Sequence, residues 1–373
     1  VKPGVNLIGY SRAEFGLGEA CRSAAKALES ARIPFCIINF PHCPARQNDL
    51  SWKHKEVAEP IYNTNIFFIN ADQLYYHFKK NNLPRKWFLN RYNIGYWHWE
   101  LEKLPSSWLK GFLLINEVWV PSSFTAKSIP KIARKPVITI PHSISLEVPI
   151  NITRKEFQLP ESRFLFFSMF DMRSTSARKN PIAVLEAFKK AFSQNNNSVA
   201  LAIKINNGSH SIKEVKVLKQ KSKDYKNIIF IDKVLNRQEV NGLLNLSDCY
   251  VSLHRSEGFG LPLAEAMYLG KPVIATNWSG NLEFMDKNNS CLVDFTLKRV
   301  GKNYGPYTAN QLWAEPNIIQ ASQMMEKLVY DQKFAEKIGL LGKKTIETKL
   351  SYEAIGQKYR FRLNQVGMLP SKK

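Results

Sequence analysis

The stretch from Ser247 to Gly280, SDCYVSLHRSEGFGLPLAEAMYLGKPVIATNWSG, restricts the fold of this chain more than any other. Cys249 to Leu253 is a short apolar run that reads as a buried strand. His254 to Gly260 is a polar loop carrying glycine. Leu261 to about Leu269 reads as an amphipathic helix, and Pro272 to Thr276 as a second buried strand. Strand, glycine loop, helix, strand is a βαβ unit. Its loop lies at the carboxyl end of the first strand, where open α/β sheets bind ligands.

The loop has the chemistry of an anion site. Gly258 and Gly260 have access to backbone angles closed to other residues and let a ligand approach the main chain. Pro262 sits at the helix start, where no amide is wasted. The free N–H groups there, with the aligned peptide dipoles, favour a phosphate. Two carboxylates frame the site: Glu257 in the loop and Glu265 about one turn into the helix. A carboxylate beside an anion site suits neutral hydroxyls, so a sugar or ribose attached to a phosphate fits better than bare phosphate.

Glu257-Gly258-Phe259-Gly260-Leu261-Pro262, with Glu265 and Ala266 and then Gly270-Lys271-Pro272-Val273-Ile274-Ala275, resembles the E-x7-E signature of the retaining glycosyltransferases of family 4. The other reading of the string is a Rossmann-like half whose glutamates only solvate a helix. The resemblance implies an α/β chain of GT-B fold: two Rossmann-like α/β/α domains facing a central cleft, with a C-terminal helix crossing back to the first. The expected boundaries are 1–145 for an acceptor domain, 154–350 for a donor domain and 351–373 for the returning helix.

Length and composition agree with such a chain. At 373 residues it is too long for one ordinary core. Apolar content of 44% and charged content of 23% are those of a globular protein, and no apolar run is long enough to span a membrane. The first residues, Val1-Lys2-Pro3-Gly4, run directly into a strand with no leader pattern in the chain as given. The five cysteines are scattered, which reads as reduced thiols in a cytosolic setting. Cys36, His42 and Cys43 lack a second ligand pair at matching spacing, so no metal site is expected from them. The net charge of +22 points to an anionic partner: nucleic acid, anionic lipid or a phosphate-bearing substrate.

In chain order, Gly4 to Tyr10 reads as the first strand. Ser11 to Glu19 is a loop containing Gly16 and Gly18, and an alanine-rich helix follows to about Ala31. The resemblance implies that Gly16 and Gly18 face the donor phosphates and the acceptor; a tight turn needed only for packing is the alternative. Leu74 to Tyr92 interleaves aromatic rings with Lys79, Lys80, Arg85, Lys86 and Arg91. That mixture suits a lipid headgroup layer or an acceptor, stacked RNA, or two helices with rings inward and lysines outward. Asn93 to Trp97 reads as a strand, and after it the resemblance implies that His98 touches the transferred sugar, with Glu100 as the other candidate. Pro105 to Asn116 reads as a helix, and an interdomain linker is expected over His142 to Thr153.

Arg163 to Phe170 opens the second half as a dense apolar strand. A loop with Arg173, Arg178 and Lys179 follows, and Pro181 starts the next helix. Cations between strand and helix form a phosphate clamp, in which Arg grips with parallel bonds and Lys acts as a point charge. The resemblance implies that Lys179 and either Arg173 or Arg178 hold the donor pyrophosphate, and that Lys233 and Val234 hold the base. Lys213 to Lys226 reads as a basic helix with a solvated face. Ser290 to Val293 reads as the last strand, Leu297 to Pro316 shows no clear element, and Tyr352 to Asn364 is the final helix.

Taken whole, the resemblance implies transfer of a sugar from a nucleotide-diphosphate donor to an acceptor hydroxyl with retained configuration. The amides of Gly258, Phe259, Gly260 and Leu261 would hold the diphosphate, Glu257 the sugar hydroxyls and Glu265 the ribose. No Asp-x-Asp is present to hold a metal, so no metal or other cofactor is expected. The expected partners are a nucleotide sugar and a glycan or glycolipid such as lipopolysaccharide, O-antigen or capsule, with peripheral contact to an anionic membrane and no nucleic acid. The expected place is the cytoplasm, at the inner face of the cytoplasmic membrane. The alternatives are an epimerase or phosphorylase of the same fold, or a basic RNA- or membrane-binding protein on this scaffold.

Overall fold

The computed structural model describes residues 1–370. The chain divides into two compact units: Val1–Ile144 together with the chain from Thr348 onward, and Ser145–Glu347.

The first unit is built as strands alternating with helices. In order these are β1 (Lys2–Gly9), α1 (Gly16–Ser30), β2 (Phe35–Asn39), β3 (Tyr62–Phe68), α2 (Ala71–Lys79), β4 (Tyr92–Tyr96), β5 (Glu117–Val120), α3 (Ser123–Ser128) and β6 (Val137–Thr139). The strands pair in parallel in the order β2-β1-β3-β4-β5-β6. Their inner residues, among them Leu7, Ile8, Ile66, Phe67, Ile94 and Val118, are fully buried. Continuous burial of this kind is what a parallel sheet covered on both faces demands. Each such side chain contributes about 1.5–3 kcal/mol on leaving water.

The second unit repeats the plan. Its elements are β7 (Phe164–Asp171), α4 (Ser176–Lys179), α5 (Pro181–Ala191), β8 (Val199–Asn206), α6 (Ile212–Lys221), β9 (Ile228–Ile231), α7 (Arg237–Leu246), β10 (Cys249–Ser252), α8 (Leu261–Tyr268), β11 (Val273–Thr276), β12 (Cys291–Val293), β13 (Phe295–Arg299), β14 (Leu312–Pro316), α9 (Ile318–Tyr330) and α10 (Gln332–Lys349). Its parallel sheet runs β12-β11-β10-β7-β8-β9. The chain therefore winds outward in both directions from the neighbours β7 and β10. The loops leaving those two strands therefore lie at the reversal of strand order, where α/β sheets take ligands. In the first unit the same reversal falls between β1 and β3.

The last helix, α11 (Tyr352–Gln365), belongs to the first unit. It packs on α1 at backbone distance: a Cβ on Gly356 would lie 2.4 Å from Ala27 O. Arg362 at its far end forms an ion pair with Glu117 of β5, a carboxylate that is fully buried.

Three segments differ from what the sequence suggests. Pro105 to Asn116 winds as a 3-10 helix over Ser106–Leu114, not an α-helix. Gly111 accounts for the close fit, since a Cβ there would come 2.7 Å from Ala71 O of α2. Leu297 to Pro316 contains most of an antiparallel hairpin, β13 on β14. The period-two apolar signal is missing because Thr296 to Arg299 are all exposed. Ser290 to Val293 is thus the last strand of the parallel sheet but not of the unit.

Leu74 to Tyr92 is α2, a connecting stretch and a 3-10 turn at Arg85–Trp87. Phe88 stacks on Phe67 and meets Phe78 edge-on, while Lys79, Lys80, Arg85 and Lys86 are exposed. Arg91 is engaged with main-chain carbonyls, among them Tyr62 O at 3.0 Å and Pro60 O at 2.9 Å. Tyr76 and Leu89 remain exposed. Among the described residues no helix is long and apolar enough to cross a membrane.

Candidate active site

The carboxyl ends of β7 and β10 bring two loops together in the second unit. Asn180 Nδ2 donates to Leu253 O at 3.1 Å, and Arg255 N–H donates to Arg178 O at 2.8 Å. The result is a charged cluster around Glu257. Lys179 Nζ lies 2.5 Å from Glu257 Oε1 and Arg178 Nη1 lies 3.2 Å from Oε2. Arg178 also donates to Ser256 O at 2.8 Å. Burial alone would raise the Glu257 carboxyl, but Lys179 first and Arg178 next hold it down to about 2. Two cations on one carboxylate leave a positive excess, as an anion site needs.

Of the two loop glycines, Gly260 uses its freedom, with φ +95 as it opens α8. The helix's own bonds begin with Leu263 N–H to Gly260 O at 3.0 Å, so the preceding amides lie outside its ladder. Gly258 lies against Gly280, where a Cβ would come 2.1 Å from Gly258 O. Glu257 N–H donates to Ser279 Oγ at 2.8 Å, and Gly280 N–H donates to Glu257 O at 2.9 Å. A recess beside this loop is lined by Lys179, Tyr250, Ser252, Glu257, Gly260 and Pro262.

Uncommon backbone gathers at the same place. Thr175 has φ 60 and ψ 95, Asn180 has φ 53, and Ser279 has φ 79 and ψ −146. Conformations of this kind cost of order 1–3 kcal/mol each and persist where the surroundings enforce them, as they do at functional sites.

The remaining residues expected in this unit are placed as follows. Arg173 is exposed on the loop after β7, while its neighbour Arg178 is the arginine that meets Glu257. Glu265 is buried in α8 and forms an ion pair with Arg237 at the start of α7. Lys233 and Val234 are exposed in the turn after β9, with the Lys233 ammonium 5.0 Å from the centre of the Phe157 ring. Phe259 and Leu261 flank Gly260, Phe259 buried and Leu261 half-buried.

Sequence reasoning missed three residues here. Arg237 is separated from Glu265 by a helix and a strand, so nothing local joins them. His254 is fully buried at the start of the loop, and among the described residues neither ring nitrogen has a hydrogen-bond partner. Burial pushes its imidazole down to about 4. Glu315, in the hairpin that the sequence did not reveal, grips Arg255 with two bonds of 3.0 and 2.9 Å. Ala314 N–H donates to Arg255 O at 2.9 Å. The hairpin thus holds the loop from outside.

In the first unit, Gly16 opens α1 and a Cβ there would meet nothing within 4 Å. Gly18 is different: a Cβ would lie 2.0 Å from Ala13 O, so packing of the loop alone requires glycine. His98 follows β4. Its backbone N–H donates to Asn70 Oδ1 at 2.9 Å, and its Nε2 lies 2.9 Å from Nε2 of His142. Burial holds His98 neutral, its imidazole pushed down to about 3. Glu100 is half-buried two positions on.

Among the described residues no group of three His, Cys, Asp or Glu side chains is gathered as a metal site would be.

Known proteins similar to this chain show its family and its fold. Residues 150–344, just over half of the chain, match the family model described as glycosyl transferases group 1. The human alpha-1,3/1,6-mannosyltransferase ALG2 is 26% identical over 149 residues, 40% of this chain. The match spans 31% of that protein, so this chain covers about a third of the curated relative's length. The crystal structure of HepE from Anabaena, in complex with UDP and glucose, superposes with a TM-score of 0.69 at 14% identity, covering 97% of this chain and 99% of that one. Sucrose-phosphate synthase from Thermosynechococcus elongatus gives a TM-score of 0.67 at 15% identity, covering 98% and 99%. The two parallel six-stranded sheets with their helices are thus the GT-B fold. The chain belongs to the glycosyl transferases group 1 family.

Proposed function

We propose that the chain is a retaining, family 4-type glycosyltransferase that moves a hexose from a nucleotide-diphosphate sugar to a hydroxyl of a lipid-linked or cell-surface glycan. One observation carries the reading: Lys179 and Arg178 converge on Glu257 beside the N-terminus of α8. Cations and helix amides in one recess suit a diphosphate both as ligand and as leaving group. Lys179 is the more accessible cation, with 19% of its side chain exposed against 4% for Arg178. In this account Lys179 meets the phosphate and Arg178 holds Glu257. Glu257 accepts from sugar hydroxyls, Glu265 holds the ribose, and Lys233 and Val234 border the base.

Gly16 lets the phosphate end approach the main chain, and His98 hydrogen-bonds a hydroxyl of the transferred sugar. The cations take the place of a bridging metal. The curated relatives named mannosyltransferase support a hexose, and the neighbour holding UDP supports a nucleoside diphosphate. The net charge of +22 and the exposed Tyr76, Lys79, Lys80 and Leu89 support docking at the inner face of an anionic membrane.

The test is release of nucleoside diphosphate from UDP-glucose, UDP-N-acetylglucosamine and GDP-mannose with a lipid extract as acceptor. One donor should be turned over, with retained anomeric coupling in the product. Glu265→Ala should lower turnover at least about tenfold through lost ribose contacts. It should leave flotation with phosphatidylglycerol vesicles unchanged. Turnover of no donor, or an inverted product, contradicts the proposed reaction; no flotation contradicts membrane docking.

A further inference from the structure

A chain of hydrogen bonds runs through the first unit and reaches His98. It starts at Ile140 O, a backbone carbonyl, which can only accept. Tyr96 Oη donates to it at 2.6 Å. A phenol has one hydrogen, so toward His142 Nδ1, 3.3 Å away, the same oxygen must accept. His142 therefore carries its proton on Nδ1. Burial keeps this imidazole neutral, its proton affinity well below the ordinary range. Its Nε2 is then a bare acceptor, and the contact of 2.9 Å to His98 Nε2 requires the proton on His98. The ring planes are nearly parallel, 11° apart, with centroids 5.0 Å apart, an arrangement compatible with a bond between the two ring edges. Two protonated Nε2 atoms could not approach so closely. His98 Nδ1 is left as a lone pair, buried and without a partner among the described residues.

We infer that Tyr96 and His142 are positioning residues that fix His98 in its Nε2–H tautomer, so that its Nδ1 accepts a hydrogen bond from a hydroxyl of the transferred sugar. The sugar contact rests on the proposed role of His98; the tautomers rest on the hydrogen-bond chain alone. The direction matters chemically. A hydroxyl that donates its proton becomes more electron-rich at oxygen, which favours a sugar gaining positive charge as the diphosphate leaves. An N–H in the same place would withdraw electrons from it. The backbone carbonyl of Ile140, three groups away, thus sets the polarity of the contact. Leaving the acceptor nitrogen buried and unmatched has a cost that a donated hydroxyl would relieve.

The test combines a spectroscopic signature with kinetics. Protein labelled with 15N-histidine is examined by long-range 1H–15N correlation, with His98→Asn and His142→Gln assigning the signals. Wild type should show the proton on Nε2 of His98 and on Nδ1 of His142. Tyr96→Phe keeps the ring and its stacking on Phe68, with centroids 4.6 Å apart, but removes the acceptor. Both histidines should then populate mixed tautomers. Release of UDP from UDP-glucose or GDP from GDP-mannose, whichever wild type performs, should fall about fivefold to tenfold in kcat with KM little changed. His142→Gln, which offers an oxygen in place of Nε2, should retain most of the rate, and His142→Leu should not.

A proton on His98 Nδ1 in wild type, or unaltered tautomers in Tyr96→Phe, overturns the relay. Altered tautomers with unaltered kcat overturn the positioning role. The stated tautomers in a wild type that turns over neither nucleotide sugar support the relay and count against the glycosyl-transfer reading instead.

Discussion

Glu257 shows what a single residue contributes. Its carboxyl is held at about 2 against an ordinary 4.5 because Lys179 and Arg178 outweigh the effect of burial. A depressed folded value means that the unfolded chain takes up the proton first as acid is added. The contribution of Glu257 to stability is therefore full above about 4.5 and is lost as pH falls toward about 2. Glu257→Gln should destabilise the protein at pH 7, since it leaves two cations facing a neutral amide. Urea unfolding followed at several pH values should show the gap between wild type and variant closing between 4.5 and 2. A gap that stays constant across that window refutes this account of the ion pair.

Residue-level chemistry was legible where it is contiguous. The string from Glu257 to Glu265 keeps its side-chain types at fixed spacing within one loop and one helix. The loop after β7 was legible in part. Its cations stand out in the sequence, but only the folded loop shows that Arg178 is buried against Glu257 while Arg173 is exposed. Tyr96 and His142 were not legible, because they meet only after β5, α3 and β6 have folded between them.

Elements explain what the side chains alone do not. The parallel pairing was implicit in the alternation of strands and helices; the strand order was not, and it puts the loops after β7 and β10 at the reversal of the sheet. The hairpin of β13 and β14 was hidden by its exposed first strand, yet Glu315 makes it the outer support of Arg255. The final helix was readable as a helix, but its anchor was not. Glu117 is fully buried and accepts from Arg362, from Trp119 Nε1 at 2.7 Å and from Tyr92 Oη at 3.2 Å. Arg362→Ala leaves that carboxylate buried without its cation. Loss of one partner of a buried pair costs about 3–5 kcal/mol. The urea midpoint of the transition reported by α11, labelled at an exposed site, should fall accordingly. A change within about 0.5 kcal/mol would show that α11 is held by packing at Gly356 and Tyr359 and not by the ion pair.

The whole molecule consists of two Rossmann-like units, each with a sheet reversal and functional candidates on the loops beside it. The chain carries a net charge of +22, and in the second unit two of its cations are taken inward to Glu257. Under the proposed function, this cluster is a nucleoside diphosphate site served by protein cations. Calorimetric titration of UDP and of GDP into wild type and Lys179→Met, with and without EDTA, tests it most directly. One nucleotide should bind wild type with one-to-one stoichiometry, indifferent to EDTA. Lys179→Met should weaken it by about 2 kcal/mol, roughly 30-fold, as for loss of one charged hydrogen bond. Equal affinity in the two proteins, or binding that EDTA abolishes, would rule out a site built on protein cations.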